Sequence, residues 1–526
     1  MNKNKFYVTT PLYYVNAKPH IGTLYSTLIA DVVARWNKVQ GKNVLFLTGT
    51  DEHGQKIQER AESLEKSPKE FVDSMIPQFK DAWKLYEIEY DKFIRTTDDY
   101  HEAAVVKWIE KLQEKGDIYK SEYTGWYCVP CETFVTVNAE SPKDAKDNYV
   151  CPSCNREIHE LSQECYFFRL SAYEDQLLKF YEEHPHFITP KERLNEVVSF
   201  VKSGLKDLCI SRKASSVSWG IPFPGDNEHT VYVWGDALNN YISAVGFGKN
   251  DQESKEQFDF WWPADLQIMG KDIVRFHAVF WLAFLFAAGL KPPKNLLVHG
   301  FILSGDKKMS KSLGNVMDPV QLAEWYGVEP VRYYLMRKMA ITQDGHFDLK
   351  DLEQTIESDL SNSLGNLLNR TSTLSLKNDL QTVEPQEVWE VDSVILKDKC
   401  EEAFRTYWDA MNHSQFHVAI GELFRFVSEV NAYFHEQQPW KVVKEDKEFF
   451  AEIMSVVCHS LYAIAVMLWP ILPTKMEELL ISLGHTFEKD KNYEQELRKN
   501  IWNKTFTLKK TELPLFPRPE THVEQE

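Results

Sequence analysis

Two short clusters, Pro19-His20-Ile21-Gly22 and Lys308-Met309-Ser310-Lys311-Ser312, carry the residue types that a nucleotide's phosphates require. A proline, an imidazole and a glycine at a helix start set a polar side chain beside exposed backbone N–H groups. Such a place binds phosphate. In the second cluster Lys307, Lys308 and Lys311 stand with Ser310 and Ser312 between Gly305 and Gly314. A glycine-flanked loop of this kind gathers the charge of a polyphosphate, which matters most when pyrophosphate leaves. Alone, that cluster reads equally well as a solvated basic turn. Paired in this order, the two signatures point to two halves of one ATP site.

The elements that must position them are legible nearby. Phe6-Tyr7-Val8-Thr9-Thr10 alternates and is rich in strand formers, whereas Leu24, Leu28, Ile29, Val32 and Trp36 recur at helical spacing. A strand therefore feeds a helix, with His20 at the turn. Lys42 to Thr48 reads as a second buried strand and closes a βαβ unit. It runs into Gly49-Thr50-Asp51-Glu52-His53-Gly54, a polar cluster at the strand's C-terminal end. Ligands of open α/β sheets bind at that edge.

Four of the eight cysteines are spaced for a metal. Cys128-x-x-Cys131 and Cys151-x-x-Cys154 lie nineteen residues apart, each pair holding a proline, which is the spacing of a four-thiolate zinc knuckle. Disulfides are the alternative, and they require an oxidising compartment. Four thiolates complete a tetrahedral shell and leave no position for water, so the expected Zn²⁺ is structural. Cys165, Cys209, Cys400 and Cys458 lack such spacing and are expected to be packing residues.

A chain of 526 residues, 43% hydrophobic and 13% aromatic, is expected to form about three or four globular domains. The apolar stretches Ala278 to Leu290 and Leu461 to Leu472 fall short of the roughly 18–20 residues of a membrane span and read as buried helices. No membrane is expected. The first five residues carry no apolar signal region, which makes the cytosol the default location. The net charge of −18 does not exclude an RNA partner, because phosphate contacts depend on local basic surface. Candidate surfaces are the second signature, Arg332 to Lys338, and Lys441 to Lys447, where acids dilute the lysines; the last reads more simply as a solvated helix face. Beyond Asp351 strand patterns all but vanish, and Leu360, Leu364, Leu367 and Leu368, then Phe416 to Phe434, then Ile453 to Leu472 mark a helical bundle.

Over nearly its whole length the chain resembles the class I aminoacyl-tRNA synthetases, and in detail the methionyl-tRNA synthetases with a single zinc knuckle. The matching segments are Thr9 to Asn16, His20-Ile21-Gly22, Thr50 to Gly54, Val231 to Trp234, Gly270 to Ile273, Phe276-His277, Lys308 to Ser312 and Gln438-Pro439-Trp440. One residue departs from the family's pattern: its first signature usually ends in a second histidine, where this chain has Thr23. A hydroxyl can donate a hydrogen bond but brings no positive charge.

The resemblance implies a fold, a reaction and a set of sites. The fold would be α/β: a Rossmann-like class I catalytic domain in two halves, 1–115 and 226–317, split by a zinc-binding connective insertion at 116–225. A connecting segment, 318–358, would lead to an α-helical anticodon-binding bundle, 359–526. The reaction would join methionine to ATP, then to tRNA. His20, Thr23, Lys308 and Lys311 would act on the phosphates of Mg²⁺-bound ATP, with Gly22, Gly270, Asp236 and Ile302 completing the nucleotide site. Methionine would meet Leu12, Tyr14, Asp51, Trp234, Ala237, Leu238, Tyr241, Ile273, Phe276 and His277, with Asp51 pairing its ammonium, Trp234 and Phe276 walling its side chain, and Tyr241 with His277 addressing the sulfur. Asn366, Arg370 and Trp440 would read the anticodon of tRNA(Met), elongator and initiator, as hydrogen-bonding and stacking groups. Read without the resemblance, Trp234 and Phe276 are ordinary core aromatics, His277 a core histidine, and Trp440 a packing residue. The insertion is too short for the hydrolytic editing domain of the isoleucyl, leucyl and valyl relatives, which need editing because a missing methylene discriminates by only about 1–3 kcal/mol. A monomer is expected. Two rivals remain: another class I ligase, and a paralogue that binds tRNA without activating an amino acid.

Overall fold

The computed structural model describes residues 4–128, 133–135, 137, 141–144, 148–152, 155–304, 307–308, 317–489, 491–499, 501–510 and 513–522. Its centre is a parallel sheet. Strand Lys5–Thr9 pairs on one side with Asn43–Asp51 and on the other with Leu266–Gly270. Leu296–His299 extends the sheet beyond Leu266–Gly270, and Lys92–Arg95 extends it beyond Asn43–Asp51. The first strand is thus flanked by a neighbour from each half of the chain, and the order of strands reverses there. That is where an open α/β sheet forms a ligand crevice.

Strand alternation explains why the sheet is covered on both faces. Val8, Val44 and Phe46 turn to one face and join a core shared with helix Ile21–Val39 and the C-terminal helices. Tyr7, Leu45 and Leu47 turn to the other, against helices Asp99–Lys115 and Leu282–Ala287. Leu24, Leu28, Ile29, Val32 and Trp36 are all buried, as their spacing predicts.

Helix Asp99–Lys115 stops at Gly116, whose φ of 80° suits a left-handed cap, and the insertion begins. Strands Ile118–Cys128 and His159–Phe168 form its long antiparallel ribbon. The 116–225 segment is not a separate body, since its residues Ile188–Thr189 pair with Leu296–Leu297 as an edge strand of the catalytic sheet. Nor does it end at a linker: position 225 sits between the paired strands Pro222–Phe223 and Asp226–Val231. At the last expected boundary, 358/359, helical structure runs unbroken from Leu349 to Lys377, through a π-helical stretch at Ile356–Gly365.

Two expectations are corrected. Arg332 is not part of a basic surface. It is fully buried and donates to Asp31 at 2.7 Å and to the carbonyls of Tyr86 at 2.8 Å and Ile471 at 2.9 Å, while Asp31 also accepts from Arg35 at 2.9 Å. This buried charge cluster joins the helix that follows His20 to the helical bundle. The apolar stretch ending near Leu472 is also longer than it reads, because helix Lys447–Leu468 is long and apolar enough to cross a membrane by composition. Its apolar window is 94% buried inside the protein, as befits the central helix of a bundle.

Candidate active site

A cleft of about 250 Å³ opens where strands Lys5–Thr9, Leu266–Gly270 and Leu296–His299 end. Leu12, Tyr14, His20, Gly22, Thr23, Gly270, Ile273 and Ile302 line it, drawn from both halves of the chain. His20 is the cap of helix Ile21–Val39. Its Nδ1 accepts the Gly22 N–H at 3.0 Å, and its own N–H donates to Thr23 Oγ1 at 3.2 Å. An Nδ1 that accepts is unprotonated, so the ring's proton lies on Nε2 as a donor. Thr23 serves as the reciprocal partner of a capping box, a role its position suits and that sequence reading had not given it. A Cβ on Gly22 would stand 2.9 Å from His20 Cε1, and one on Gly270 would stand 2.7 Å from Asp272 Oδ1. Both glycines leave room for their neighbours' side chains.

Beside Ile273 lies an aromatic cluster. The rings of Trp234 and Phe276 stack at 3.8 Å and 10°, and Trp234 meets His277 edge-on at 6.4 Å. His277 is buried, and burial pushes its pKa down to about 4, so the ring is neutral. Its Nδ1 is 3.0 Å from the Ile273 carbonyl, which must accept, and the Tyr241 hydroxyl therefore donates to Nε2 at 2.7 Å. Ala237 and Leu238 are buried, Leu238 in the core beneath the sheet. Tyr14 and Asp51 are paired residues of neighbouring strands, and the Tyr14 hydroxyl donates to the His53 carbonyl at 3.0 Å.

Asp236 is a correction. It does not line the nucleotide cleft; it is 1% exposed, with its two oxygens 2.7 Å from His53 Nδ1 and 2.8 Å from His101 Nε2. Two histidines occupy the carboxylate that had been expected to serve ATP. Sequence reading also missed His299, on the cleft wall, whose Nδ1 is 2.7 Å from the Gly300 carbonyl and whose Nε2 is 2.7 Å from Ser26 Oγ. The only signal was its place at the end of a strand. Ile302 heads a short strand that pairs with Gly345–His346 and, through Leu303, with Lys308. Lys311 lies outside the described residues.

Of the four knuckle cysteines, Cys128 and Cys151 are buried in a small cluster with Ile158, and Cys131 and Cys154 lie outside the described residues. The Cys151 carbonyl accepts the Asn155 N–H at 2.8 Å in a tight turn, with Asn155 at a φ of 56°. Cys400 and Cys458 are buried packing residues, as expected. Cys209 is more than that: Arg212 Nη1 donates to its sulfur at 3.4 Å, and burial, which opposes ionisation, is outweighed by Cys165 and Arg212, which bring its thiol down to about 7.

On the bundle, Asn366 is exposed at the end of the π-helical stretch. The Arg370 guanidinium lies over Phe434 at 4.7 Å and over Trp440 at 5.9 Å, with Trp440 36% exposed. Phe434, read in the sequence only as the end of a bundle helix, holds Arg370 in place beside Trp440.

A family model for class I tRNA synthetases of the methionyl (M) group matches residues 6–372, and one for the anticodon binding domain of methionyl tRNA ligase matches residues 386–508. The chain belongs to the class I methionyl-tRNA synthetases. The methionine–tRNA ligase of Caldanaerobacter subterraneus subsp. tengcongensis is 43% identical over 527 residues, 99% of this chain and 80% of that one. That of Thermotoga maritima is 43% identical over 90% of this chain and 74% of its own. The solved Mycobacterium tuberculosis methionyl-tRNA synthetase in complex with methionyl-adenylate superposes with a TM-score of 0.92 at 35% identity, covering 98% of this chain and 100% of that one. A methionyl-tRNA synthetase needs a catalytic sheet and a helical anticodon domain, and this fold has both in that order.

Proposed function

We infer that this methionine–tRNA ligase activates L-methionine at the cleft between the two halves of its sheet and then passes it to the 3′ end of tRNA(Met). The observation that carries the reading is that His20, which caps its helix, and Ile273, where the Tyr241–His277–Ile273 hydrogen-bond chain ends, line one cleft from distant segments of the sequence. In the first step the methionine carboxylate attacks the α-phosphorus of Mg²⁺-bound ATP. The nucleophile is already ionised, so no general base is needed and catalysis reduces to placement and charge stabilisation. His20 Nε2–H and the Thr23 hydroxyl would donate to phosphate oxygens, Gly22 and Gly270 admit the nucleotide, Ile302 lies beside adenine, and Lys308 with Lys311 stabilise the leaving pyrophosphate. Asp51 would pair with the substrate ammonium, Leu12, Tyr14 and the Trp234–Phe276 stack would wall the thioether, and the neutral Tyr241–His277 pair would stand at the sulfur end of the pocket. In the second step a ribose hydroxyl of the tRNA attacks the adenylate carbonyl; the aminoacyl ester forms as the bond from that carbonyl carbon to the phosphate oxygen breaks, AMP leaves and the hydroxyl proton is released.

Asn366, Arg370 and Trp440 are the proposed anticodon readers, for elongator and initiator tRNA alike. The insertion fits a structural Zn²⁺: Cys128 and Cys151 already share one buried cluster, and with Cys131 and Cys154 they make a donor set of four thiolates. When bound, the ion would cross-link the insertion. We assign 1–115 and 226–317 to the catalytic domain, 116–225 to the insertion, 318–358 to the connecting segment and 359–526 to the bundle, in a monomeric enzyme of the cytosol. The test is ATP–pyrophosphate exchange without tRNA, comparing methionine with isoleucine, leucine, valine and cysteine. Exchange with methionine alone is expected; exchange with another amino acid, or none in folded protein, refutes the reading.

A further inference from the structure

We propose that the chain Glu102–His53–Asp236–His101–Ser243, buried from His53 to Ser243 with the Glu102 side chain 39% exposed at its outer end, positions the methionine-binding wall, and that His53 does so as a cation held between two carboxylates. The inference rests on the reading of Asp51, Trp234, Ala237 and Tyr241 as the methionine pocket. Both oxygens of Asp236 are engaged by imidazoles at 2.7 and 2.8 Å. His101, fully buried, faces Ser243 Oγ through its other nitrogen at 2.8 Å, and the second nitrogen of His53 lies 3.7 Å from Glu102 Oε1.

Three of the five members lie within two residues of the pocket. Asp236 lies between Trp234 and Ala237 on helix Val233–Ala237, and Ser243 ends helix Asn240–Ser243, which carries Tyr241. His53 follows Asp51 by two residues, and its carbonyl accepts the Tyr14 hydroxyl. Helices of five and four residues have almost no stability of their own, since helix nucleation is costly and short helices depend on tertiary contacts. A carboxylate tied to two histidines from distant parts of the chain fixes both against the end of strand Asn43–Asp51.

The charge on His53 has a structural cause. Burial opposes it, but the Asp236 carboxylate outweighs burial, with Glu102 and Glu52 adding to the effect, and the imidazole's pKa is raised above its ordinary value. Glu52 is itself held by Arg95 at 2.7 Å, and Trp219 packs edge-on to the His53 ring at 5.3 Å. Burial pushes Asp236 up in turn, and its two histidines more than reverse this, holding it below the usual carboxylate range. A group raised in the folded protein contributes while protonated. Its contribution is complete at low pH and is lost as pH rises through the raised value.

The experiment is steady-state ATP–pyrophosphate exchange from neutral to alkaline pH, with methionine and ATP varied separately, on the wild type and on Asp236→Asn, His53→Asn and His101→Gln. An asparagine amide cannot accept from two imidazole N–H groups on both sides. Asp236→Asn is therefore expected to raise the methionine KM about tenfold to a hundredfold while the ATP KM changes far less, and to move the alkaline limb of methionine kcat/KM to lower pH. His53→Asn keeps a donor near the Nδ1 position and removes the titrating ring, so that limb should vanish with a smaller rise in KM. His101→Gln keeps a donor near Nε2 and should rescue part of the loss. If Asp236→Asn does not fold, the two histidine variants decide alone. Methionine and ATP KM values rising together, or a fall in kcat with an unmoved pH profile, would overturn the proposal and leave a network that only holds the fold. A wild type that does not exchange with methionine would instead refute the pocket assignment on which it rests.

Discussion

His20→Asn should separate the two tasks assigned to one imidazole. Nδ1 caps the helix by accepting the Gly22 N–H at 3.0 Å, and Nε2–H is the donor proposed for the phosphates. Asparagine offers an acceptor oxygen near the Nδ1 position and is a favoured cap, but it has no atom where Nε2 stands. The helix start should therefore survive, with stability within about 0.5 kcal/mol of wild type. Removing one preorganised donor to developing charge costs about 2.7–4 kcal/mol, or about 10²–10³ in kcat, and a neutral imidazole belongs at the lower end of that range. His20→Ala loses the same donor and the cap as well, which adds about 1 kcal/mol of destabilisation. Pyrophosphate exchange at saturating methionine and ATP measures the first effect, and thermal unfolding followed by tryptophan fluorescence measures the second. If His20→Asn turns over like wild type, the Nε2 donor is not used. If it is destabilised as much as His20→Ala, the ring does not cap the helix through Nδ1. Gly22→Ala is a companion test, because its Cβ would push the imidazole from 2.9 Å away; it should lower kcat with little change in stability.

Tyr241→Phe should leave His277 Nε2 as a buried acceptor without its donor, at a cost of about 1–3 kcal/mol, and raise the methionine KM but not the ATP KM in the exchange assay. Because burial holds His277 at about 4, folding disfavours its protonation, and the wild type should lose stability from this residue as pH falls below about 6.5 toward 4, a loss that His277→Phe should lack in acid unfolding curves. Arg332→Met removes the donor shared by Asp31 and the Tyr86 and Ile471 carbonyls, and should destabilise the protein by about 3–5 kcal/mol in urea unfolding. Trp440→Ala should weaken tRNA(Met) binding by about 1–3 kcal/mol, the worth of one base stacked on an aromatic ring, while exchange without tRNA stays at the wild-type rate.

What could be read from the sequence was whatever is encoded locally. The strand Lys5–Thr9, the helix Ile21–Val39 and the following strand announce themselves through alternation and 3.6-residue spacing, and all three form as expected. The fate of a polar residue is different, because it depends on what the fold brings to it. Asp236 read as a nucleotide contact since its partners, His53 and His101, lie 183 and 135 residues away. Arg332 read as surface because the carboxylate that buries it is 301 residues distant. A catalytic sheet assembled from two halves of a split domain makes such separations the rule at its centre, where strands Lys5–Thr9 and Leu266–Gly270 meet. The same long-range closure hides membrane from core: composition cannot tell helix Lys447–Leu468 from a membrane span, and only the helices packed around it do so. Thr23 shows the converse. Its capping partner is three residues away, so the Thr23 role was available in the sequence, but attention to a missing histidine concealed an ordinary helix start. In this fold, then, a departure from a family signature is best weighed first against the local backbone, which needs an N3 side chain with an acceptor, and only afterwards against the chemistry of the substrate.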